Sequence, residues 1–287
     1  MTRQRELYEQ LANANAREVI RLYSTSFGVA SSLLAPDVRQ DVANIYGLVR
    51  LADEVVDGVA AEYGLDVPSI RQALDALEAE TNRALDTGYS TNLIVHAFAA
   101  TARRNGFGTE LVTPFFASMR MDLERSEHTP ESFREYVYGS AEVVGLMCLC
   151  AFTVGQQLGP ADEERFVTGA RALGSAFQKV NFLRDIAADV DGLGRQYFPG
   201  VDFAALSDET VRELVADIDR ELALAREMIR LLPASSRRAV ALAEALFAAL
   251  NRQIAATSSA ELAKRRLSVP TRSKAWLYLR ARMGMLT

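Results

Sequence analysis

Cysteine, histidine and tryptophan are scarce in this chain of 287 residues, which holds two cysteines, two histidines and one tryptophan. Cys148 and Cys150 are two positions apart in an apolar helical pattern, so their side chains point roughly 200° apart and cannot form an unstrained disulfide. His96 and His128 lie away from the acidic motifs near residues 53 and 185. The sequence also contains no zinc-ligand spacing, Ser/His/Asp triad, Walker A loop or dinucleotide-binding fingerprint. These absences argue against disulfide scaffolds and against zinc, P-loop and nicotinamide enzymes, and the cysteines indicate a reducing cytoplasm.

Long apolar runs and an apolar leader are also missing. The longest apolar stretch, residues 143–154, is shorter than the roughly 20 residues needed to cross a bilayer, and residues 1–10 are polar and charged. We therefore expect neither export nor a transmembrane anchor, and a cytoplasmic location. A net charge of −5 provides no general attraction to nucleic-acid phosphates, so no nucleic acid is expected as a partner.

Apolar residues recur at three- and four-residue spacing along nearly the whole sequence, which is typical of amphipathic α-helices. Proline and glycine interrupt the pattern at positions such as Pro36, Gly88, Gly106, Pro130 and Pro160, which leaves about nine or ten helices. No long flexible linker divides them. The sequence thus predicts an all-α fold in which residues 1–287 form a single domain. The long helices that begin near residues 37 and 161 are expected at the centre of a bundle around a cavity.

Two aspartates, Asp53 and Asp57, lie four positions apart at the end of the first of these long helices. One helical turn places both carboxylates on one face, about 6 Å apart along the axis. Arg50 shares that face. Taken alone, such a motif is most simply a solvated acidic turn with an intrahelical Arg–Asp ion pair; the alternative is a cation site.

The second long helix repeats the arrangement with Asp185 and Asp189, and Asn181 and Gln178 extend the polar ladder along the same face. These side chains would be costly in a core unless something paired with them, and hard cations are natural partners for their oxygens. Two facing pairs would hold Mg²⁺, or Mn²⁺ in its place, and the ions would bind the oxygens of a diphosphate. The predicted chemistry is metal-assisted loss of diphosphate. Charge-assisted hydrogen bonds to phosphate would come from Arg50, Arg184 and Arg195.

These motifs resemble those of the squalene/phytoene synthase family, most closely its bacterial phytoene synthases. Residues 50–58 and 181–189 resemble the first and second aspartate-rich motifs of the family. Residues 194–199 resemble the Gly-Arg-x-Tyr-hydrophobic-Pro element that follows the second motif. Further matches extend the resemblance from residue 23 to residue 281. The resemblance implies an isoprenoid-synthase-type helical bundle.

The resemblance also implies roles for matching residues. The metal ligands would be Asp53, Asp57, Asn181, Asp185 and Asp189, the four aspartates being catalytic. Substrate diphosphate would contact Ser24, Tyr46, Arg50, Gln178, Arg184, Arg195 and Tyr197. The prenyl tunnel would be lined by Phe27, Tyr136, Val144 and Gly145. The sequence departs from the family pattern at two positions. Ala188 stands where the family usually has an acidic residue, which would lower the affinity for metal. Phe247 stands where a tyrosine is expected, which removes a hydroxyl.

The activity that the resemblance implies is head-to-head condensation of two geranylgeranyl diphosphates to phytoene through a cyclopropyl diphosphate, without NADPH. The aspartate motifs do not report chain length, so a squalene or dehydrosqualene synthase using farnesyl diphosphate stays open. Chain-elongating prenyltransferases and terpene cyclases usually carry a denser aspartate motif. A catalytically silent member acting as a binding or assembly protein is the alternative from another class. The oligomeric state is left open.

The C-terminal segment is basic while the rest of the chain is acidic. Pro270 and Thr271 are expected to begin a helix that carries Trp276, Leu279 and Met283 on one side. The simplest expectation is that this apolar side packs on the bundle. The alternative is reversible docking on an anionic cytoplasmic membrane.

Overall fold

The computed structural model describes residues 2–188 and 196–286, most of which are helical. The α-helices of this part of the chain are α1 (Arg3–Tyr23), α2 (Thr25–Ser31), α3 (Pro36–Val56), α4 (Val59–Glu62), α5 (Val67–Thr87), α6 (Leu93–Asn105), α7 (Thr109–Glu124), α8 (Pro130–Val137), α9 (Val143–Thr153), α10 (Pro160–Ala188), α11 (Asp208–Leu231), α12 (Arg237–Ala255), α13 (Ser259–Leu262) and α14 (Thr271–Arg282). A π-helical segment (Tyr138–Glu142), called the π-segment below, joins α8 to α9, and a 3₁₀ turn (Phe203–Ala205) precedes α11. The described residues contain one isolated β-bridge and no strand, so the predicted all-α class is confirmed.

Local side chains and glycines set most of the helix boundaries. The N-cap oxygens of Asp66, Asn92 and Thr129 accept hydrogen bonds from the first-turn backbone N–H groups of α5, α6 and α8. Helices α5 and α6 end at Gly88 and Gly106, whose φ values of 77° and 76° favour glycine. The predicted breaks at these positions are confirmed.

The structure contains three breaks between helices that the sequence did not predict. Ser24 ends α1 and caps α2, where its hydroxyl accepts a hydrogen bond from the N–H of Phe27 at 3.1 Å. Gly58, with φ of 114°, separates α3 from α4. Ser258 has an extended backbone between α12 and α13. Each break is too local to disturb the apolar spacing on either side.

Two long helices, α3 and the 29-residue α10, organise the packing. Helix α3 packs with α5, α6 and α7 around an apolar cluster that includes Phe98 and Phe115. Helix α10 packs with α11 and α12 around a second cluster that includes Leu183 and Leu222. A cavity lies where α3, α9 and α10 face one another, as predicted for the two long helices.

Glycines allow the π-segment to approach its neighbours closely. A Cβ atom on Gly139 would lie 2.1 Å from the carbonyl oxygen of Pro114 in α7. A Cβ atom on Gly174 of α10 would lie 2.5 Å from the carbonyl oxygen of Ala141. Only glycine fits such contacts without a backbone shift, so the π-segment is held between α7 and α10 by backbone packing.

Helix α8, the π-segment and α9 run on as one helical stretch, Pro130–Thr153, which by length and by its mean hydropathy of 1.4 could cross a membrane. It is longer than the apolar run of residues 143–154 because α8 and the π-segment extend the same helix. Within the described part of the chain this stretch packs against α7 and α10 and lines the cavity. Its apolar surface is therefore used inside the bundle.

Helix α14 begins at Thr271 after Pro270, as predicted. The side that packs on α12 carries Leu277 and Ala281, which are buried. Trp276, Leu279 and Met283 are instead 56%, 55% and 65% exposed. The expectation that these three pack on the bundle is wrong, because the docked side of the helix lies about 150° away from them.

Candidate active site

A cavity of about 480 Å³ extends between α3, the π-segment, α9 and α10. Asp57 and Arg266 on its wall are exposed, so its mouth lies at the polar end, near α3 and α10. Aromatic and aliphatic side chains make up most of the remaining wall. The predicted site residues on its wall are Phe27, Tyr46, Arg50, Asp53, Asp57, Tyr136, Val144, Gly145, Gln178, Asn181, Arg184, Asp185 and Tyr197. The structure thus brings together residues from distant parts of the sequence around one space.

The first aspartate pair stands at the C-terminal end of α3. Asp53 is half-buried, and burial together with the neighbouring Asp57 carboxylate raises the pKa of its carboxyl well above the usual value. Asp57 is exposed and ends the helix, where its N–H donates to the carbonyl of Asp53 at 2.8 Å. Two carboxylates so close together favour a cation between them.

Arg50 does not form the Arg–Asp ion pair considered from the sequence. Its guanidinium pairs with Glu54, the residue one turn further along α3. It also lies over the ring of Tyr23, 4.5 Å from the centroid, a cation–π contact. The pairing with Glu54 leaves the Asp53 carboxylate without this partner.

Two arginines hold the carboxylate of Asp185 on the opposite side of the cavity mouth. Arg184 donates from Nε to Oδ1 of Asp185 at 3.0 Å, and Nε of Arg266 lies 2.7 Å from the same oxygen. Asn181 lies one turn before Asp185 and Gln178 lies close to one turn before Asn181, all of them on the cavity wall. In this state Asp185 is neutralised by the protein itself.

An aromatic wall adjoins the polar mouth. The ring of Tyr197 stacks on Phe182 with centroids 3.9 Å apart and lies 5.5 Å from the ring of Tyr136. The hydroxyl of Tyr136 donates to Oδ1 of Asp122 at 2.9 Å. A hydrogen bond from the N–H of Gln196 to the carbonyl of Ser126 holds the Tyr197 segment beside the start of α8. The wall is therefore fixed by both stacking and backbone contacts.

The depth of the cavity is apolar. Phe27 of α2 contacts the rings of Phe177 and Phe247 at 5.7 and 5.6 Å, and the latter two stack at 3.8 Å. Val144 and Cys148 of α9 line the same space, and burial raises the pKa of the Cys148 thiol to about 12, which keeps it protonated. Both cysteines are free, as predicted. This part of the cavity suits a hydrocarbon chain.

Some predicted residues lie elsewhere. Ser24 does not line the cavity but lies next to Tyr46, whose pKa is raised chiefly by burial. Asp189 and Arg195 lie outside the described residues. Nothing is described of the side chain of Ala188.

Several polar residues on the cavity wall were not assigned from the sequence, among them Asp122, Ser140 and Arg266. Asp122 follows Met119 by three positions on an otherwise apolar face of α7. That spacing could have indicated that Asp122 faces the interior. Ser140 likewise stands four positions from both Tyr136 and Val144. Arg266 lies in the non-helical segment before α14, where no periodicity indicates a direction for its side chain.

Buried polar atoms at the cavity wall provide a test of whether these residues fit metal and diphosphate. Nε of Arg50, Oγ of Ser140 and Oδ1 of Asn181 are buried and have no hydrogen-bond partner among the described residues. In the ranges 2–188 and 196–286, no group of three or more acidic, histidine or cysteine side chains is placed to hold an ion. Mg²⁺ commonly takes one or two carboxylates and fills its shell with water and phosphate oxygens. The carboxylates of α3, the oxygen of Asn181 and the N–H of Arg50 fit such an assembly.

The comparisons with known proteins agree with this geometry. The family model described as squalene/phytoene synthase matches residues 20–273. The chain is 34% identical to 15-cis-phytoene synthase of Paracoccus sp. (strain N81106 / MBIC 01143) over 185 residues, which are 64% of this chain and 58% of that protein. It is 31% identical to 15-cis-phytoene synthase of Enterobacter agglomerans over 213 residues, 72% of this chain and 68% of that protein. The chain spans less than two thirds of the Paracoccus protein.

A solved dehydrosqualene synthase in complex with a ligand superposes with a TM-score of 0.77, at 22% identity and with 96% of this chain and 97% of that chain covered. The likeness shows that the two share the isoprenoid synthase fold. With the family match over most of its length, the chain belongs to the squalene/phytoene synthase family. The suspected similarity to bacterial phytoene synthases is confirmed.

Proposed function

We propose that this protein condenses two molecules of geranylgeranyl diphosphate head to head into phytoene, through a cyclopropyl diphosphate and with release of both diphosphates. The observation that carries the proposal is the similarity to 15-cis-phytoene synthases, joined to a cavity with a carboxylate- and arginine-lined mouth and an apolar depth. The mouth suits diphosphate and the depth suits a prenyl chain.

The polar residues have distinct tasks in this proposal. Asp53, Asp57, Asn181 and Asp185, with Asp189, would hold Mg²⁺, which would neutralise charge on the departing diphosphate. Arg50 and Arg184 would bind phosphate oxygens through charge-assisted hydrogen bonds. Gln178, Tyr46 with Ser24, Tyr197 and Arg195 would complete the diphosphate contacts.

The apolar residues would protect two successive carbocations from water. In the first stage one substrate loses diphosphate, its C1 cation alkylates the double bond of the second substrate, and a proton leaves as the cyclopropane closes. In the second stage the cyclopropyl diphosphate ionises and rearranges, and loss of another proton leaves the double bond of phytoene. Phe27, Tyr136 and Phe177 offer ring faces to these cations, while Val144 and Gly145 shape the tunnel. The departing diphosphate is the proposed proton acceptor, so no side-chain base is required.

The product formed from labelled substrates tests the proposal. The purified chain would be incubated with Mg²⁺ and either farnesyl or geranylgeranyl diphosphate, and the hydrocarbons would be separated by mass. We expect phytoene from geranylgeranyl diphosphate without NADPH. Squalene or dehydrosqualene as the preferred product would favour the farnesyl-specific alternative. No Mg²⁺-dependent release of diphosphate from either substrate would instead favour a binding or assembly role.

We also propose that α14 docks reversibly on the anionic inner surface of the cytoplasmic membrane. At 100° per residue, Arg272 and Arg280 share the side of the helix that carries Trp276, Leu279 and Met283. These three apolar side chains are more than half exposed, and the guanidinium of Arg280 lies 4.7 Å from the centre of the Trp276 ring. Basic and aromatic side chains on one exposed face suit a membrane interface. A hydrocarbon product could leave there without crossing water.

A further inference from the structure

The wall of the cavity formed by α8, the π-segment and α9 carries one hydroxyl group that no protein atom satisfies. Oγ of Ser140 is buried and has no hydrogen-bond partner among the described residues. The side chain lines the cavity. Its environment differs from that of Ser118, whose hydroxyl donates to the carbonyl of Tyr136 at 3.1 Å, and from that of Ser175, whose hydroxyl donates to Glu221 at 2.8 Å. Ser140 thus lines the cavity and carries a buried hydroxyl for which the described residues provide no partner.

The position of Ser140 is set by the backbone. It belongs to a stripe of cavity-lining residues four positions apart: Tyr136, Ser140, Val144, Cys148 and Phe152. Four-residue steps in a regular α-helix would wind the stripe by about 160° over its length. The wider turn of the π-segment reduces this drift and keeps the stripe directed at one space. The contacts of Gly139 with Pro114 and of Gly174 with Ala141 fix that turn on both sides.

Ser140 is also the last hydroxyl on this stripe before its apolar part. Tyr136, towards the mouth, donates to Asp122, and Val144, Cys148 and Phe152 follow towards the depth. A buried hydroxyl without a partner is destabilising, and alanine would fit the same space without that cost. A substrate that occupies the cavity can supply that partner. Of the two parts of a prenyl diphosphate, only the diphosphate has hydrogen-bonding atoms.

We infer that Ser140 is a substrate-contacting residue whose hydroxyl donates a hydrogen bond to a diphosphate oxygen of a bound prenyl diphosphate, an inference that rests on the proposed function. The hydroxyl stands where the charged mouth meets the apolar depth. It therefore contacts the end of the substrate at which diphosphate joins the prenyl chain. Its effect is to hold that end in register with the aspartates of α3 and α10.

Calorimetry with ligands that cannot react tests the inference. Geranylgeranyl thiolodiphosphate and inorganic diphosphate would each be titrated, in Mg²⁺, into the wild-type chain and the variants Ser140→Ala and Ser118→Ala. In Ser140→Ala we expect both ligands to bind about ten- to a hundredfold more weakly, the range for loss of one hydrogen bond to a charged group. The melting temperature should be unchanged or higher, because no protein partner is lost. Ser118→Ala, the matched control, should melt at a lower temperature and bind both ligands as the wild type does.

Several outcomes would overturn the inference. Binding of both ligands to Ser140→Ala within twofold of wild type would show that the hydroxyl makes no diphosphate contact. Weaker binding of the prenylated ligand alone would place Ser140 against the hydrocarbon chain. A lower melting temperature with unchanged affinity would make its role structural. If the wild-type chain binds neither ligand, the proposed function fails and this inference fails with it.

Discussion

Asp53 is a carboxylate that opposes folding at a site where we propose that it holds metal. Burial and the neighbouring Asp57 raise the pKa of its carboxyl, so in the absence of metal the folded protein binds this proton more tightly than the unfolded chain. Stability contributed by such a group is full below the unfolded pKa, about 3.9 for aspartate, and is lost as pH rises towards the folded pKa. A divalent cation would reverse the preference by favouring the ionised form.

Replacing Asp53 by Asn should therefore separate activity from stability. We expect turnover to fall about a hundred- to thousandfold, as for loss of one preorganised charge at a transition state. The metal-free variant should be more stable than the wild type at pH 7, and the difference should shrink as pH falls towards 4, near the unfolded pKa of aspartate. Steady-state kinetics at saturating Mg²⁺ and thermal unfolding across this pH range measure both effects. Asp37→Asn, an exposed change on the same helix, is the control. Near-normal turnover in Asp53→Asn would make the metal assignment wrong.

Arg266 is expected to affect metal binding and diphosphate binding in opposite directions. Its pairing with Asp185 competes with metal for that carboxylate, yet its guanidinium lines the cavity where diphosphate is proposed to bind. Arg266→Gln should bind Mn²⁺ alone up to about fivefold more tightly, since an exposed ion pair contributes about 0.2–1 kcal/mol. With Mg²⁺ present, inorganic diphosphate should bind about tenfold more weakly. Arg265→Gln, which removes an arginine paired with exposed Glu261, is the matched control. Equal changes in both variants would show that the change in net charge alone accounts for the effect.

Helical spacing predicted part of the site, although Asp122 and Ser140, which also obey it, were not assigned. The aspartates of α3 and α10 could be identified because four-residue spacing places them on one face. Arg266 could not, because the segment that carries it has no repeating conformation and its direction is set by tertiary contacts. The Arg50–Glu54 pair also escaped prediction, since several acidic neighbours lie within one turn of Arg50 and only packing selects among them.

At the scale of elements, the π-segment is the feature that sequence reasoning missed. Its residues continue the apolar spacing of α8 into α9, so nothing in the periodicity distinguishes a π-helical turn from an α-helical one. The reason for the π-helical turn lies in its close packing against α7 and α10. A Cβ atom added to Gly139 or to Gly174 would lie only 2.1 or 2.5 Å from a carbonyl oxygen of the neighbouring element. Gly145, predicted only as a tunnel residue, has the same function towards α10, where a Cβ atom would lie 2.5 Å from the carbonyl of Ala170.

Substitution of Gly174 by Ala tests whether this packing holds the elements together. Helix propensity alone would stabilise the variant by about 1 kcal/mol, but the new Cβ atom would displace the backbone of Ala141. We expect a net loss of about 1–3 kcal/mol in the free energy of unfolding, the usual cost of overpacking. Denaturant unfolding measures it. The control is Gly28→Ala in α2, which should not lose stability because its Cβ atom would lie 3.9 Å from the carbonyl oxygen of Ile20. A Gly174→Ala variant as stable as the wild type would mean that α10 moves freely against the π-segment.

For the whole molecule, the central placement of α3 and α10 was predictable because their length and weak polarity suit a cavity wall. The side on which α14 packs was not predictable, because its apolar residues are spread over two faces and both can be buried. Leu277 and Ala281 are buried against the bundle. The face with Trp276, Leu279 and Met283 stays exposed together with basic residues. Helix α14 therefore presents an exposed face that is both basic and apolar.

This surface leads to a prediction for the intact protein. Sedimentation with liposomes should show binding to anionic but not neutral vesicles at low salt, and binding should weaken sharply as salt is raised, because the attraction is screened within about 10 Å at 0.1 M. Changing Arg272, Lys274, Arg280 and Arg282 to Gln should weaken binding at least tenfold, since each basic residue near such a surface contributes about 1 kcal/mol. A control with the same change in net charge replaces Arg3, Arg83, Arg134 and Arg212, which are exposed on α1, α5, α8 and α11. If both variants lose binding equally, the attraction depends on total charge rather than on α14. Equal binding of the wild type to both kinds of vesicle would exclude recognition of anionic lipid by this helix.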